Sequence, residues 1–148
     1  MSILIFEDST VSQLFPIKTG RCACCVTVGS YTLLDLLKTF ERPKVGLVRK
    51  HLRALNELDH PELIPLGSPL TPESGGPSII LNARLVPNIA TLSAVEHLLD
   101  ESSHAEPSVV WDGDQVAAIA PPGWSWRWIR EQAESSVEPL LLAAHNFK

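Results

Sequence analysis

The stretch from Leu14 to Leu37, L-F-P-I-K-T-G-R-C-A-C-C-V-T-V-G-S-Y-T-L-L-D-L-L, carries the reading on which the fold of this chain turns. An apolar run, Ile3–Phe6, precedes it, short enough for one buried strand. An acidic turn, Glu7-Asp8-Ser9, follows that run. The stretch itself opens as a loop holding Gly20 and Arg21. Cys24–Val28 reads as extended or irregular. The stretch closes on Leu33, Leu34, Leu36 and Leu37, which with Phe40 make an apolar stripe at helical spacing. Thr32, with Asp35 three positions on, makes a capping box for a helix over 32–40. Strand, loop with an arginine, and amphipathic helix are the parts from which α/β proteins build phosphate sites.

Working outward, Glu41-Arg42-Pro43 ends the helix, because proline disfavours helix in the residue before it. Lys44–Val48 reads as a second strand, and Leu52–Leu58 as a short helix stopped by Asp59-His60-Pro61. The β-α-β-α order predicts a mainly parallel sheet covered by helices. Residues 61–77 hold five prolines and three glycines, which predicts a loop bordering the sheet, mobile at Ser74-Gly75-Gly76. A strand over Ser78–Leu81 and a helix over Ser93–Leu99, with Ser93 and Glu96 as a second capping box, come next. Val109–Trp111 and Gln115–Ala120 flank Asp112-Gly113-Asp114, a strong hairpin signal. Ser125 caps a helix over Trp126–Ala133, and a further helical segment covers Val137–His145.

A chain of 148 residues is one domain of ordinary size, so 1–148 is read as a single unit. Its 45% apolar and 20% charged residues read as soluble and globular. A net charge of -5 offers no general attraction to nucleic acid or to an anionic membrane. No apolar run approaches the roughly 20 residues that span a bilayer. Residues 1–6 lack a basic start and a long apolar stretch, so the expectation is a cytoplasmic protein with no signal peptide.

All three cysteines, Cys22, Cys24 and Cys25, lie within four residues. An odd count in one cluster is no disulfide framework. Cys22 and Cys25 form one C-x-x-C pair, but no second pair is spaced to complete a zinc site. The three are expected to pack as small apolar side chains and to bind no metal. The histidines, His51, His60, His97, His104 and His145, are scattered, and His97 reads as a helix-face residue. Trp124, Trp126 and Trp128 alternate with polar residues. They fit either an interface patch or one side of a helical turn at the core edge.

Several motifs together carry a resemblance. Leu14, Pro16, Arg21, Gly29, Thr32 and Leu33 match the pattern L-x-P-L-T-x-x-R-P-x-x-x-L-x-x-G-x-x-T-L, with Ile17 and Val26 as apolar equivalents. Phe6-Glu7-Asp8 matches a first strand ending F-E-D, and Asn82-Ala83-Arg84-Leu85-Val86-Pro87 matches N-G-R-L-L-P. Asp112–Ala118 looks like the short acidic-Gly hairpin that follows. In this order, over about residues 3–120, the chain resembles a bacterial family of sugar nucleotidyltransferases. That family is similar to the N-terminal region of bifunctional N-acetylglucosamine-1-phosphate uridyltransferase/glucosamine-1-phosphate acetyltransferases.

The resemblance implies an α/β, three-layer, Rossmann-like nucleotidyltransferase domain with a mainly parallel sheet and a C-terminal hairpin and helix. It implies a nucleotide sugar or sugar phosphate as ligand and, where there is catalysis, Mg²⁺. It also implies an acyltransferase-type β-helix domain after this region, so that the chain reads as part of a longer protein, or else a homo-oligomer. Asp8, Lys18, Arg21, Asn82 and Arg84 are the candidate ligand-binding residues, with Asp8 also the candidate metal ligand. Each has a plainer reading. Arg21 would tie its loop to Glu7 or Asp8, Lys18 would be solvated, and Asp8 would cap the turn at Ser9. Asn82 would cap its own turn, and Arg84 would pair with an acidic neighbour.

The chain departs from the pattern where Lys18 stands for Thr and Cys22 for Pro, and the lysine expected after the arginine is missing. Glu7–Gln13 holds no glycine, so the Gly-rich phosphate loop is absent. The expectation is therefore binding with catalysis lost or incomplete. A non-catalytic interaction or oligomerisation module is the alternative. Carboxylates converging beside Arg21 would favour an enzyme, and an exposed Trp124–Trp128 patch would favour the module.

Overall fold

The computed structural model describes residues 2–72, 74–101, 107–133 and 136–146, apart from the side chains of Lys18 and Glu101. Six strands form one sheet: β1 (Ser2–Phe6), β2 (Lys44–Leu47), β3 (Leu63–Pro65), β4 (Pro77–Asn82), β5 (Ser108–Asp112) and β6 (Gln115–Ala120). Their spatial order is β3-β2-β1-β4-β6-β5. The first four run parallel, with Phe6 opposite Leu47 on one side and Asn82 on the other. β6 returns antiparallel to β4, and β5 antiparallel to β6.

The central strand is apolar at every position from Ile3 to Phe6 because both of its faces are covered. Ile3 and Ile5 point into one core with Ile79 and Leu81. Helices α1 (Leu33–Leu37) and α3 (Ile89–Glu101) close that core, together with the turn that carries the three cysteines. Leu4 and Phe6 point into a second core with Ile80 and Ile119, under α4 (Trp126–Gln132) and α5 (Glu138–His145). Helix, sheet and helix form three layers. The remaining helix, α2 (Arg53–Asp59), connects β2 to β3.

The capping expectations divide. Thr32 and Asp35 form a reciprocal capping box at the start of α1. The helix is shorter than its apolar stripe, and Thr39 Oγ1 donates to the Leu36 carbonyl at 2.8 Å just past its end. Ser125 Oγ accepts from the Trp128 N–H at 3.2 Å and starts α4 as expected. At α3 the expected cap is misplaced. Asn88 Oδ1 accepts from the Thr91 N–H at 2.8 Å, so the helix starts at Ile89 and Ser93 lies inside it.

The proline-rich stretch is not all loop. β3 lies within it at the sheet edge, where a proline needs no outward ladder donor. The Gly75-Gly76 turn is docked rather than free. The Trp126 N–H donates to the Gly75 carbonyl at 3.1 Å. A Cβ built on Gly76 would lie 1.7 Å from the Trp124 carbonyl oxygen. The hairpin turn has Gly113 at φ 64° in its first position, the position a type II′ turn reserves for glycine. No helix among the described residues is long and apolar enough to cross a membrane.

Candidate functional site

The parallel strands deliver their C-terminal ends to one edge of the sheet. Glu7 and Asp8 follow β1, Arg49 follows β2, and Arg84 follows β4. The chain adds β2 and β3 on one side of β1 and then crosses to place β4 on the other. The switch point of the sheet therefore lies between β1 and β4, where α/β proteins bind ligands.

Asp8, Asn82 and Arg84 meet there. Arg84 grips Asp8 with two donors, Nε to Oδ1 at 3.1 Å and Nη2 to Oδ2 at 2.9 Å. Asn82 Nδ2 donates to Asp8 Oδ2 at 2.7 Å and to the Val116 carbonyl at 3.1 Å. Asn82 Oδ1 accepts from the Arg84 N–H at 3.0 Å. Thr10 Oγ1 donates to Asp8 Oδ1, and Arg84 Nη2 to Gln115 Oε1. Burial pulls the Asp8 carboxyl upward, but the hydrogen bonds from Arg84, Thr10 and Asn82 outweigh it and hold it below its ordinary value. Asn82 is buried with its amide engaged on both sides, so it braces the site. Arg84 keeps Nη1 unbonded among the described residues.

Glu7 forms a second clamp. Its Oε1 accepts from the Ala23 N–H at 2.7 Å, and its Oε2 pairs with Arg49 Nε at 3.0 Å. Arg49 Nη2 also donates to the Arg21 carbonyl at 2.8 Å. One buried carboxylate thus joins the end of β1, the start of the chain after β2 and the cysteine turn.

A cleft of about 720 Å³ opens beside these clamps, bordered by Arg49, Lys50, Arg53, Arg130 and Glu138. Glu7 and Asp8 also line it, each already paired with an arginine. Lys50 and Arg53 have no carboxylate partner among the described residues, so the cleft presents uncompensated positive charge. Sequence reasoning passed over this set. Its signal was Arg49-Lys50 with Arg53 directly after a buried strand.

Arg21 is elsewhere. It is exposed, does not line the large cleft, and makes no ion pair with Glu7 or Asp8. Those carboxylates had nearer arginines, and what Arg21 supplies is its main-chain carbonyl. The backbone of Lys18 lies in the 3-10 turn Ile17–Gly20, while its side chain, like all of His104, falls outside the described residues. His97 is exposed on α3. Asp8 stands at the N-cap position of the 3-10 turn Ser9–Leu14 without making a side-chain cap bond.

Asp8 does not fit a Mg²⁺ ligand in this arrangement. Both of its oxygens are occupied by donors, and its charge is matched by Arg84. Among the described residues no group of three carboxylate or imidazole side chains gathers around it.

The cysteines do gather. Cys22 Sγ lies 3.2 Å from Cys24 Sγ and 3.0 Å from Cys25 Sγ, and all three side chains are buried. The hydrogen bonds that link Cys22 to Cys24 and Cys25 lower the Cys22 thiol below its ordinary range. The hydrogen bond shared with Cys22 raises Cys24 and Cys25.

The tryptophans split. Trp126 fills the second core, fully buried. Trp124 and Trp128 pack against each other with ring centroids 4.6 Å apart and planes tilted by 41°, and are half-buried, which is the core-edge arrangement rather than an open patch.

A mainly parallel α/β sheet with paired charges at its switch point and a cationic cleft beside them defines an α/β domain of the nucleotidyltransferase-like kind. The family model for sugar nucleotidyl transferases matches residues 3–127, and the chain belongs to that family. No curated protein and no solved structure matches it.

Proposed function

We propose that this domain binds a nucleotide sugar, or a nucleotide and a sugar phosphate, in the cleft of about 720 Å³, with the phosphates against Lys50, Arg53 and Arg130. The observation that carries this is the neutralisation of both switch-point carboxylates, Glu7 by Arg49 and Asp8 by Arg84, which leaves the remaining cations for an anionic ligand. Arg84 offers its Nη1 donors to the sugar or its phosphate, and Asn82 holds Asp8 in place. The likeness to the bifunctional uridyltransferase/acetyltransferases rests on the four motifs together, Phe6-Glu7-Asp8, the Leu14–Leu33 pattern, Asn82–Pro87 and the Asp112–Ala118 hairpin. A β-helix domain after α5 belongs to the same proposal.

Transfer is a separate matter. Phosphoryl chemistry of this type needs preorganised donors and a metal near the phosphates. Ser9–Leu14 is a 3-10 turn rather than a Gly-rich cradle. The position after Arg21 is a buried cysteine. Asp8 is committed to Arg84 and leaves no carboxylate oxygen free for magnesium. Losing one preorganised donor costs roughly 3 kcal/mol of transition-state stabilisation. The 148-residue chain is expected to bind without turning over.

Calorimetry with uridine and thymidine triphosphates and their hexose conjugates tests the binding. The Lys50→Ala/Arg53→Ala variant should bind at least about tenfold more weakly, since each charge-assisted contact is worth ~1 kcal/mol or more. No binding by the wild type, or an unchanged affinity in the variant, would remove the assignment. A pyrophosphate-release assay with hexose 1-phosphates tests catalysis, and robust turnover would restore a full enzyme.

A further inference from the structure

The three thiols are brought together by one short 3-10 turn, Ala23–Cys25, and the residue before it. The turn is pinned from within by Cys25 N–H to the Cys22 carbonyl at 3.1 Å and Val26 N–H to the Ala23 carbonyl at 3.0 Å. It is pinned from outside by the Ala23 N–H on Glu7 Oε1 at 2.7 Å. A turn so fixed aims all three sulfurs at one point, whereas three apolar side chains in a core gain nothing from facing each other.

The sulfurs mark a triangle with sides of 3.0, 3.2 and 3.9 Å. Its centre is about 2.0 Å from each sulfur, and a zinc–thiolate bond is about 2.3 Å. An ion bonded to all three therefore sits about 1.1 Å off their plane, at the head of a shallow pyramid. The two shorter sides widen to about 3.8 Å for an ideal tetrahedral ion. A planar three-sulfur site with bonds of the same length needs sides of about 4.0 Å, further from the observed triangle than the pyramidal site. Among the described residues no further Cys, His, Asp or Glu atom joins the group, so the fourth position falls to an exogenous donor. Thiolate ligands also select soft cations over Mg²⁺.

We propose that Cys22, Cys24 and Cys25 form a three-thiolate centre for one zinc ion, and that this ion locks the cysteine turn against Glu7 and so holds the Glu7–Arg49 clamp beside the cleft. The usual search for a second C-x-x-C pair misses such a centre, because all three ligands come from four consecutive residues. Binding releases thiol protons and replaces the hydrogen bonds among the buried sulfurs by metal–ligand bonds.

The test uses the full chain purified under reducing conditions without added metal. Elemental analysis should find one equivalent of zinc. After chelation, cobalt(II) should restore a thiolate-to-cobalt charge-transfer band and the strong visible bands of a tetrahedral ion. Cys22→Ser, Cys24→Ser and Cys25→Ser should each weaken metal binding at least about tenfold. Because a variant can fail to fold, the wild-type cobalt spectrum stands as an independent readout. Three free thiols with zinc affinity weaker than about micromolar overturn the proposal. So do a Cys22–Cys25 disulfide in the native protein by mass spectrometry, and stoichiometric copper with no zinc uptake.

Discussion

Replacing Asp8 with asparagine should cost about 2–3 kcal/mol of folding stability, a value set by the geometry of its partners. Breaking a fully buried pair costs ~3–5 kcal/mol, and breaking an exposed one costs less than ~1 kcal/mol. The Asp8 side chain is 8% exposed and Arg84 is 23% exposed, so the orphaned guanidinium can recover part of its hydration. An amide does not substitute for the carboxylate. With its nitrogen in the Oδ2 position, it faces the Asn82 and Arg84 donors; flipped, it faces Arg84 Nε. For a chain of this length the loss corresponds to a fall in Tm of about 5–10 °C.

The pH dependence follows from the lowered carboxyl of Asp8. A folded-state pKa below the unfolded one adds stability that is complete above the unfolded value, near 3.9, and disappears as pH falls through the folded value. The gap between wild type and Asp8→Asn should be flat at neutral pH and close under acid. Urea unfolding followed by tryptophan fluorescence reads this directly, since Trp126 is fully buried. A variant within about 0.5 kcal/mol of wild type would refute the argument. A more stable variant would also refute it, because it would mark Asp8 as an unpaired functional carboxylate whose removal relieves repulsion.

Two further outcomes follow from the fold. Gly76→Ala should destabilise by about 1–3 kcal/mol in chemical denaturation, because its Cβ would collide with the Trp124 carbonyl and the backbone must move. A neutral substitution would show that the 75–76 turn is not docked on residues 124–126. Arg21→Ala should leave triphosphate affinity within about twofold, since the contribution of that residue to Arg49 is its main-chain carbonyl. A tenfold loss in calorimetry would return Arg21 to the cleft.

Much of the architecture was legible because its signals are local. The apolar run at Ile3–Phe6, the Thr32/Asp35 box, the Asp112-Gly113-Asp114 turn and the Ser125 cap each depend on neighbours in the chain, and the structure shows all four. β3 was hidden because a three-residue edge strand ending in proline has too few positions to show a period. The start of α3 was missed because Asn88 took the cap, leaving Ser93 a plain helical residue.

The sequence by itself determined the order of strands and helices other than β3, the family motifs and the presence of Asp8, Asn82 and Arg84 at strand ends, because backbone preference and burial act over a few residues. Only the tertiary structure decided which charges face one another. Parallel pairing of β1 with β2 and β4 sets Glu7 against Arg49 and Asp8 against Arg84, partners 42 and 76 positions apart. These pairings give Arg49 and Arg84 the carboxylate ties that the plainer reading had placed on Arg21. The cysteines show the same division at short range. Their spacing was plain, but a turn braced by Glu7 from another element is what points three sulfurs at one place.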